Sequence, residues 1–323
     1  MRAQSLILLW VTICLVACHN VPEEKVLVRL CPTPPEARAC ASSFAINDTI
    51  YIFGGRTTYK KATNTMMTFV PSKQEWTNDI ATPLVSRVNG VACTHKGVAY
   101  LGLGHTGGSI YTETSYLRDW WQFNPSTYQW TRLADFPSNK TVAAIAFADD
   151  NNIWVGFGFN GFGDELWSYS ITENKWESVP HQKVWPERLM SSVAASVGGR
   201  HFHGTGYRRK GHNDWWEFVA QDSHWERRAS VPGEGRHNAT CAATDHHCWM
   251  IGGWHYGDSL TTGYYFEDIL RYSPTDDQWT ICGTIPCGAT ENGVACAIGN
   301  TLYFGLGENN KSELHLKWYC IEE

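Results

Sequence analysis

Cationic, acidic and aromatic side chains recur at fixed places along this chain of 323 residues, in types that suit an anionic or sugar-like ligand. One set directly follows the glycine that ends a short aromatic segment: Arg56, His105, Phe159, Tyr207, Trp254 and Glu308. A second set precedes the next copy of the pattern: Arg38, Arg87, Lys140, Arg188 and Arg236, with Glu291 near that place in the last copy.

Guanidinium groups bind carboxylates through paired hydrogen bonds, and a ring of cations focuses a positive field even on an acidic protein. The sequence therefore predicts a ligand-binding face that carries the following residues: Arg38, Arg56, Arg87, His105, Arg188, Tyr207, Arg236 and Trp254. A structural alternative stays open, because an arginine at the start of a strand also pairs with neighbouring carboxylates or carbonyls. Tyr207 and Trp254 are equally consistent with packing.

The segments that position these residues are six copies of one hexapeptide, with an aromatic second residue and a glycine in sixth place. They begin at the following residues: Ile50, Ala99, Ile153, His201, Cys248 and Leu302. A second signal runs in step with them, because a Phe or Tyr is followed seven residues later by tryptophan. These tryptophans are Trp76, Trp130, Trp176, Trp225 and Trp279. The constant offset predicts two strands joined by a turn of fixed length, and a repeat of roughly fifty residues is typical of propeller blades.

This pattern resembles the kelch repeat over nearly all of the chain after the N-terminal segment. The resemblance implies an all-β fold, a six-bladed kelch β-propeller. The sixth copy stops before its tryptophan strand, and the segment from Val26 to Cys31, followed by prolines, resembles the missing strand. We expect this N-terminal strand to complete the sixth blade, because closure removes a free sheet edge.

The first residues differ from the rest of the chain. A short basic start precedes an apolar run from Leu6 to Ala17, which is too short to span a bilayer and fits a signal peptide. Leu15-Val16-Ala17-Cys18 resembles the bacterial lipobox, which implies lipidation of Cys18. The expected divisions are therefore a lipoprotein-type signal peptide at 1–17, a tether at 18–25 and the propeller at 26–323. The expected location is the bacterial cell envelope, with a lipid anchor on the outer membrane or facing the periplasm. An ordinary cleaved signal or an uncleaved anchor is the alternative.

Composition narrows the function classes. The net charge of −6 argues against a nucleic-acid partner. There is no metal-ligand spacing, P-loop or dinucleotide fingerprint, so no metal and no cofactor are expected. Because an exported chain permits disulfides, Cys241 and Cys248 are a possible pair across a hairpin.

Three functions remain open. The first is a binding module whose partner is a glycan, an anionic sugar or a protein. The second rests on similarity to exported kelch proteins that are N-acetylneuraminate epimerases, in which a catalytic Glu follows a hexapeptide of this kind. That similarity implies a catalytic role for Glu308, although the arginine that follows this Glu in the family is absent and Lys311 is the nearest cation. The third is a copper enzyme similar to galactose oxidase, for which Cys248, His255 and Tyr256 match in residue type alone.

Overall fold

The chain forms six four-stranded antiparallel sheets, or blades, in a computed structural model. The structure describes residues 21–58, 61–107, 115–138, 141–159, 165–180, 182–187, 189–257 and 262–323. The first strands of consecutive blades contact one another around a complete ring, from blade 1 through blade 6 and back to blade 1. The predicted six-bladed β-propeller is therefore confirmed.

Strands are numbered in chain order. Blade 1 consists of β2 (Ser42–Ile46), β3 (Thr49–Phe53), β6 (Thr65–Val70) and β7 (Glu75–Ala81). Blade 2 consists of β8 (Val91–His95), β9 (Val98–Gly102), β10 (Trp120–Asn124) and β11 (Gln129–Arg132). Blade 3 consists of β12 (Ile145–Ala148), β13 (Asn152–Gly156), β14 (Leu166–Ser170) and β15 (Lys175–Ser178). Blade 4 consists of β16 (Val193–Val197), β17 (Arg200–Gly204), β20 (Trp215–Val219) and β21 (His224–Arg228). Blade 5 consists of β22 (Thr240–Ala243), β23 (Cys248–Ile251), β26 (Asp268–Ser273) and β27 (Gln278–Thr284). Blade 6 consists of β28 (Val294–Ile298), β29 (Thr301–Gly305), β30 (Trp318–Glu322) and β1 (Arg29–Leu30).

Among the described residues, three short hairpins rise from the ends of the second strands. They are β4 (Arg56–Thr58) with β5 (Lys61–Ala62), β18 (Tyr207–Arg208) with β19 (Lys210–Gly211), and β24 (Trp254–His255) with β25 (Tyr264–Tyr265). Each begins at the residue that follows a hexapeptide glycine. They therefore project beside the predicted ligand face.

The two sequence signals correspond to two strand positions in each blade. Each hexapeptide overlaps the second strand of its blade, and each aromatic residue of the seven-residue offset lies directly opposite its tryptophan. Examples are Phe69 opposite Trp76 in blade 1 and Tyr272 opposite Trp279 in blade 5. Their rings pack at centroid distances of 4.8 and 5.1 Å. Cross-strand aromatic pairs of this kind stabilise a sheet, which explains why the offset recurs.

In the described part of the chain, the hydrophobic core is divided into six clusters, and each cluster lies between two neighbouring blades. In the cluster between blades 2 and 3, for example, Tyr100 and Trp120 pack against Ile153 and Tyr169. Several tryptophans also donate a hydrogen bond across the blade boundary: Nε1 of Trp176 donates to the carbonyl of Ala134 at 2.9 Å, and Nε1 of Trp279 donates to that of Ala229 at 2.9 Å. Each blade is therefore buried on two faces and depends on both neighbours.

The N-terminal strand closes the ring, as the sequence predicts. Arg29 and Leu30 of β1 pair antiparallel with Cys320 and Tyr319 of β30, and the N–H of Cys31 donates to the carbonyl of Trp318 at 2.9 Å. The strand is shorter than the predicted Val26–Cys31. Its partner β30 begins at Trp318.

The residues before β1 are attached to blade 5. The N–H of Glu24 donates to the carbonyl of Ile281 at 2.9 Å, that of Val26 to Cys282 at 3.1 Å, and that of Ile281 to Pro22 at 2.8 Å. The described part of the predicted tether, 21–25, therefore lies along β27. Residues 1–20, with the predicted signal peptide and Cys18, lie outside the described residues. Within the described ranges, no helix is long and apolar enough to cross a membrane.

Candidate functional site

Six pairs of residues surround one mouth of the central channel. Each pair joins the residue after a hexapeptide glycine to a residue at the entry of the same blade's first strand. The bridges are Ala39–Arg56, Val88–His105, Val142–Phe159, Met190–Tyr207, His237–Trp254 and Glu291–Glu308. The six residues at which the hexapeptide copies diverge therefore occupy equivalent positions, and we call these twelve residues the mouth.

Glycine is required where the chain turns into the mouth. At Gly104, φ is +82°, and a Cβ would lie 2.5 Å from the carbonyl oxygen of Val88. A side chain there would force the two strands of the bridge apart. The glycine thus lets His105 and its counterparts approach the channel.

Below the mouth, one residue of each blade has a positive φ of 52–57° and lines the channel. These residues are Cys40, Asn89, Ala143, Ser191, Asn238 and Asn292. Backbone bonds run between them, such as Asn89 N–H to the carbonyl of Cys40 at 2.9 Å and Asn292 N–H to that of Asn238 at 3.0 Å. This inner ring encloses about 160 Å³ and fixes the spacing of the mouth residues above it.

Glu308 is the most enclosed charged group of the mouth, with 4 % of its surface exposed. One carboxylate oxygen, Oε1, forms an ion pair with Arg56 and accepts a hydrogen bond from Asn292 Nδ2 at 3.0 Å. The other oxygen, Oε2, is buried and has no hydrogen-bond partner among the described residues. Arg56 comes from blade 1, so the neighbouring blade supplies the cation that the sequence lacks after Glu308.

Glu291 lies opposite Glu308 in the bridge and has different partners. Its Oε2 accepts a hydrogen bond from Asn238 Nδ2 at 2.7 Å. Burial raises the pKa of the Glu291 carboxyl above its ordinary value; the charge of Glu308 acts in the same direction, while hydrogen bonds from Asn238 and Tyr265 oppose the rise. The mouth thus contains one carboxylate paired with an arginine and a second carboxyl group whose pKa is raised by burial.

An aromatic wall borders the two carboxyl groups, and we define it as Tyr207, His237, Trp254, Tyr256 and Tyr265. Trp254 stacks on Tyr265 with ring centroids 5.6 Å apart and an angle of 12°. His237 lies 4.9 Å from Trp254, and burial lowers the pKa of His237 to about 4, so its ring is neutral at pH 7. Tyr256 is 51 % exposed at the outer end of the wall.

The opposite side of the mouth is more polar. Arg56, Lys61 and His105 line a cavity of about 300 Å³ that reaches down to Asn89 and Asn292 of the inner ring. Burial lowers the pKa of His105, so its imidazole is neutral near pH 7; its Nδ1 accepts a hydrogen bond from the N–H of Gly107 at 3.2 Å. A ligand in this cavity would meet the cationic side chains of Arg56 and Lys61.

Three of the predicted ligand-binding arginines lie inside the blades instead. Arg38, Arg87 and Arg236 are 0, 1 and 0 % exposed. Arg87 and Arg236 form bidentate ion pairs with Asp119 and Asp268, at distances of 2.6–3.0 Å.

Arg38 donates to the carbonyls of Gly54 and Thr65 at 3.2 and 2.8 Å and forms an ion pair with Glu36. Arg38, Arg87 and Arg236 therefore have the structural role that the sequence left open, and their side chains do not face the mouth. Arg188 and Lys140 lie outside the described residues.

These arginines differ from the prediction because the sequence analysis aligns the strand entries of the blades one residue out of register. The two Asn-Gly-Val-Ala-Cys segments, at 89–93 and 292–296, occupy the same place in their blades, so Arg87 aligns with Thr290 and Val88 aligns with Glu291. The residue after the arginine forms the bridge at the mouth, whereas the arginine turns into the blade. This alignment of the repeated pentapeptide was the signal that could have placed Glu291 beside Glu308.

Two further expectations fail on geometry. Cys241 and Cys248 are free thiols, because Cys241 lies opposite Met250 and Cys248 lies opposite Ala243 in the β22–β23 pair. For a copper site, Cys248 is fully buried between blades 4 and 5, whereas Tyr256 is half exposed at the mouth. These two side chains do not converge on one position.

The comparisons with known proteins agree with this architecture. The family described as the KLHDC2/KLHL20/DRC7 Kelch-repeats domain matches residues 20–206. An N-acetylneuraminate epimerase of Haemophilus influenzae is 25 % identical over 217 residues, covering 65 % of this chain and 50 % of that protein. Kelch-like protein 23 of Homo sapiens is 24 % identical over 288 residues, covering 85 % of this chain and 47 % of that protein.

This chain spans about half the length of these curated relatives. A solved structure titled "Structure of YjhT" superposes with a TM-score of 0.72 at 16 % identity, covering 91 % of this chain and 95 % of that one. At this identity the likeness concerns the fold. The family match, the repeat and the closed ring of six blades together show that the chain belongs to the kelch-repeat family.

Proposed function

We propose that this protein binds a sugar-containing ligand at the mouth of its channel. The observation that carries the proposal is the buried, unpartnered Oε2 of Glu308 beside the aromatic wall. A buried acceptor without a donor costs free energy, and a ligand hydroxyl would supply that donor. The aromatic wall offers flat apolar surface to the same ligand, since Trp254 is only partly buried.

Charge allows the ligand to be acidic. Arg56 and Lys61 both line the 300 Å³ cavity, although Arg56 already pairs with Glu308. An anionic sugar would place its carboxylate on the Lys61 side and its hydroxyl groups toward Glu308 and Glu291. A neutral sugar would need only the carboxyl groups and the wall.

A glycan array probed with the full chain tests this function. The expected result is retention of a defined set of glycans, and loss of that set in the Glu308→Gln and Trp254→Ala variants. Glu75→Gln, at an exposed position in β7, is the matched control and should bind as the wild type does. An array without binding, or binding that both mouth variants keep, would contradict a sugar site and favour a protein partner.

A second candidate is a sugar mutarotase, and the unequal pair of mouth carboxyl groups favours it. Opening a cyclic sugar requires one proton to leave the anomeric hydroxyl and one to reach the ring oxygen. Glu308, which forms an ion pair with Arg56, would accept the first proton. Glu291, whose pKa is raised by burial, would supply the second. Curated relatives from Haemophilus influenzae and Yersinia enterocolitica carry the name N-acetylneuraminate epimerase.

Proton NMR of N-acetylneuraminate distinguishes the two candidates. An enzyme would accelerate exchange between the anomers, and both Glu308→Gln and Glu291→Gln would remove the acceleration. Binding without faster exchange would leave the binding module as the function. Glu75→Gln again serves as the control that keeps full activity.

We also propose that the chain is exported and anchored in the bacterial cell envelope through lipid on Cys18. Support comes from the sequence Leu15-Val16-Ala17-Cys18 after an apolar run. Metabolic labelling with palmitate should mark the wild type, and Cys18→Ser should be unlabelled. Label that remains on Cys18→Ser would contradict the anchor.

A further inference from the structure

The hairpin β18–β19 carries a concentrated positive charge beside the mouth. Arg208, Arg209 and Lys210 are consecutive around its turn, and all three are exposed. Arg208 and Lys210 lie directly opposite each other in the strand pair. Like charges in opposite positions destabilise a strand pair, and a bound anion would offset that repulsion. The hairpin is cationic although the whole chain has a net charge of −6.

The carboxylates near this hairpin lie at its base, next to His212, which directly follows β19. Oδ2 of Asp214 is 3.6 Å from Nδ1 of His212, and Oε2 of Glu187 is 3.9 Å from Nε2 of the same ring. Within the described ranges, the side chains of Arg209 and Lys210 make no hydrogen bond or ion pair. The tip of the hairpin therefore presents positive charge to solvent.

The hairpin is firmly held and continuous with the aromatic wall. Its first residue is Tyr207, whose ring centroid lies 5.1 Å from that of the exposed Tyr256. Just before it, the N–H of Gly206 donates to the carbonyl of Arg236 at 2.7 Å, which fixes the hairpin to the entry of blade 5. Arg209 lies two residues beyond Tyr207, about 7 Å further along the hairpin. A ligand that extends out of the mouth past Tyr256 would therefore meet these cations.

A second cavity lies against the hairpin and has a volume of about 350 Å³. It is lined by Glu187, Arg208, Arg209, Lys210 and His212. It is larger than the cavity of about 300 Å³ in the mouth, so it has room for a ligand unit of the same size. Its cations suit an acidic group, and the carboxylate of Glu187 can accept hydrogen bonds from hydroxyl groups. Acidic sugars carry both kinds of group.

We infer that hairpin β18–β19 is a subsite for the acidic units of an oligosaccharide whose other end lies in the mouth. The inference rests on the proposed function, since it names acidic chains of several sugars as the ligand class of that site. Arg209 and Lys210 bind carboxylate or sulfate groups of the chain. The exposed ring of Tyr256 offers an apolar face to the sugar between the mouth and the hairpin.

Sugar chains of increasing length test this subsite. The full chain is titrated in a calorimeter with oligogalacturonates, which carry carboxylates, with carrageenan oligosaccharides, which carry sulfates, and with neutral maltooligosaccharides. At least one acidic series should bind more tightly as it lengthens, and the neutral series should gain less. Added salt should reduce the gain of the acidic series, because exposed charges are screened.

Two double variants remove the same charge from opposite ends of the blades. Arg209→Gln/Lys210→Gln should weaken the binding of long acidic chains about fivefold, as expected for two exposed charge pairs, and should leave the binding of single sugars unchanged. Lys73→Gln/Lys96→Gln, in exposed turns away from the mouth, is the matched control and should bind as the wild type does. Lys96 also matches Arg209 in its left-handed backbone, with φ of 47° and 63°.

The outcomes separate this inference from the proposed function. If the hairpin variant binds long acidic chains as tightly as the control, or if no acidic chain binds better than its single sugar, the inference is wrong and the sugar site in the mouth can still stand. A hexaglutamate peptide that binds as well as the sugar chains, with the same loss in the hairpin variant, would indicate an acidic protein partner and would also overturn it. If Glu308→Gln binds single sugars and chains as the wild type does, the proposed function fails, and the placement of the chain end in the mouth fails with it.

Discussion

Glu291 and Glu308 show how a single position in the repeat acquires a distinct role. Both are held by strand-entry geometry that the other five blades share, yet those blades place Ala, Val, Met or His at the position of Glu291. Two carboxyl groups within one bridge repel when both are ionised. Arg56 from blade 1 and Asn292 bond to Glu308, whereas Asn238 bonds to Glu291, so the two carboxyl groups have different surroundings.

The raised pKa of Glu291 predicts a pH-dependent effect of Glu291→Gln. Its folded-state pKa lies above that of the unfolded chain, so its contribution to stability is full below the unfolded value, about 4.3, and falls as pH rises through the folded-state value. Gln removes this loss while keeping an oxygen that accepts the hydrogen bond from Asn238. The variant should therefore gain stability relative to wild type at pH 7 compared with pH 4.

Urea unfolding at the two pH values measures this difference. Glu75→Gln, which changes an exposed carboxyl, is the control and should show no comparable dependence. Equal effects of Glu291→Gln at pH 4 and pH 7 would argue against a raised pKa.

Arg236 predicts a second residue-scale effect, on stability. Arg236→Met would leave Asp268 and the carbonyl of Gly252 without their donor and would remove the guanidinium stacked 3.6 Å from the Phe266 ring centroid. Removing one partner of a buried ion pair costs about 3 kcal/mol or more. Arg29→Met, which breaks an exposed pair with Glu322, should cost less than about 1 kcal/mol. Denaturant unfolding of the two variants measures this contrast, and equal losses would contradict it.

Among the elements, the inner ring is the most constrained. Six residues adopt a left-handed backbone although none is glycine, and Ala143 has no polar side chain that could hydrogen-bond locally to offset the strain. Ala143→Gly should stabilise the fold by about 1 kcal/mol, because it relieves a φ of 52° that alanine disfavours.

Ala146→Gly, three residues later within β12, should instead destabilise the protein by about 0.5–1 kcal/mol. Thermal unfolding distinguishes the two variants. A loss of stability in both would show that the side chain at position 143 matters more than its backbone.

Some strands of the blades could be predicted from the sequence, and other features of the blades could not. The second strands and the Trp-bearing fourth strands could be predicted because their glycines and aromatic pairs are required in each blade. The direction in which the side chains of Arg38, Arg87 and Arg236 point could not be predicted, because it changes with a shift of one residue in the alignment. The partners Asp119 and Asp268 also lie 32 residues away from Arg87 and Arg236 in the sequence. The hairpin β24–β25 brings Tyr265 against Trp254 and Glu291, and no local pattern encodes that contact.

For the whole molecule, ring closure is the decisive feature. Each of the six core clusters lies between two blades, so opening one boundary exposes apolar surface on both sides. Residues 21–31 secure the boundary of blades 5 and 6, where Val26 and Val28 pack against a shared cluster. They also cover the edge of β30.

Removing residues 21–31 should lower the thermal midpoint of unfolding by about 10 °C, as expected for a loss of several backbone hydrogen bonds and buried valines. The control is the chain that begins at residue 21, which keeps every described contact. Calorimetry compares the two chains. An unchanged midpoint would show that the ring closes without its N-terminal strand.

The same attachment determines how the propeller responds to mechanical load. A force applied to the chain before Pro22 reaches the hydrogen bonds of Glu24 and Val26 on β27 before it reaches β1. The bonds would break in sequence, first on blade 5 and then on blade 6. The N-terminal segment would therefore detach in two steps, and the ring would stay closed after the first step because β1 remains paired with β30.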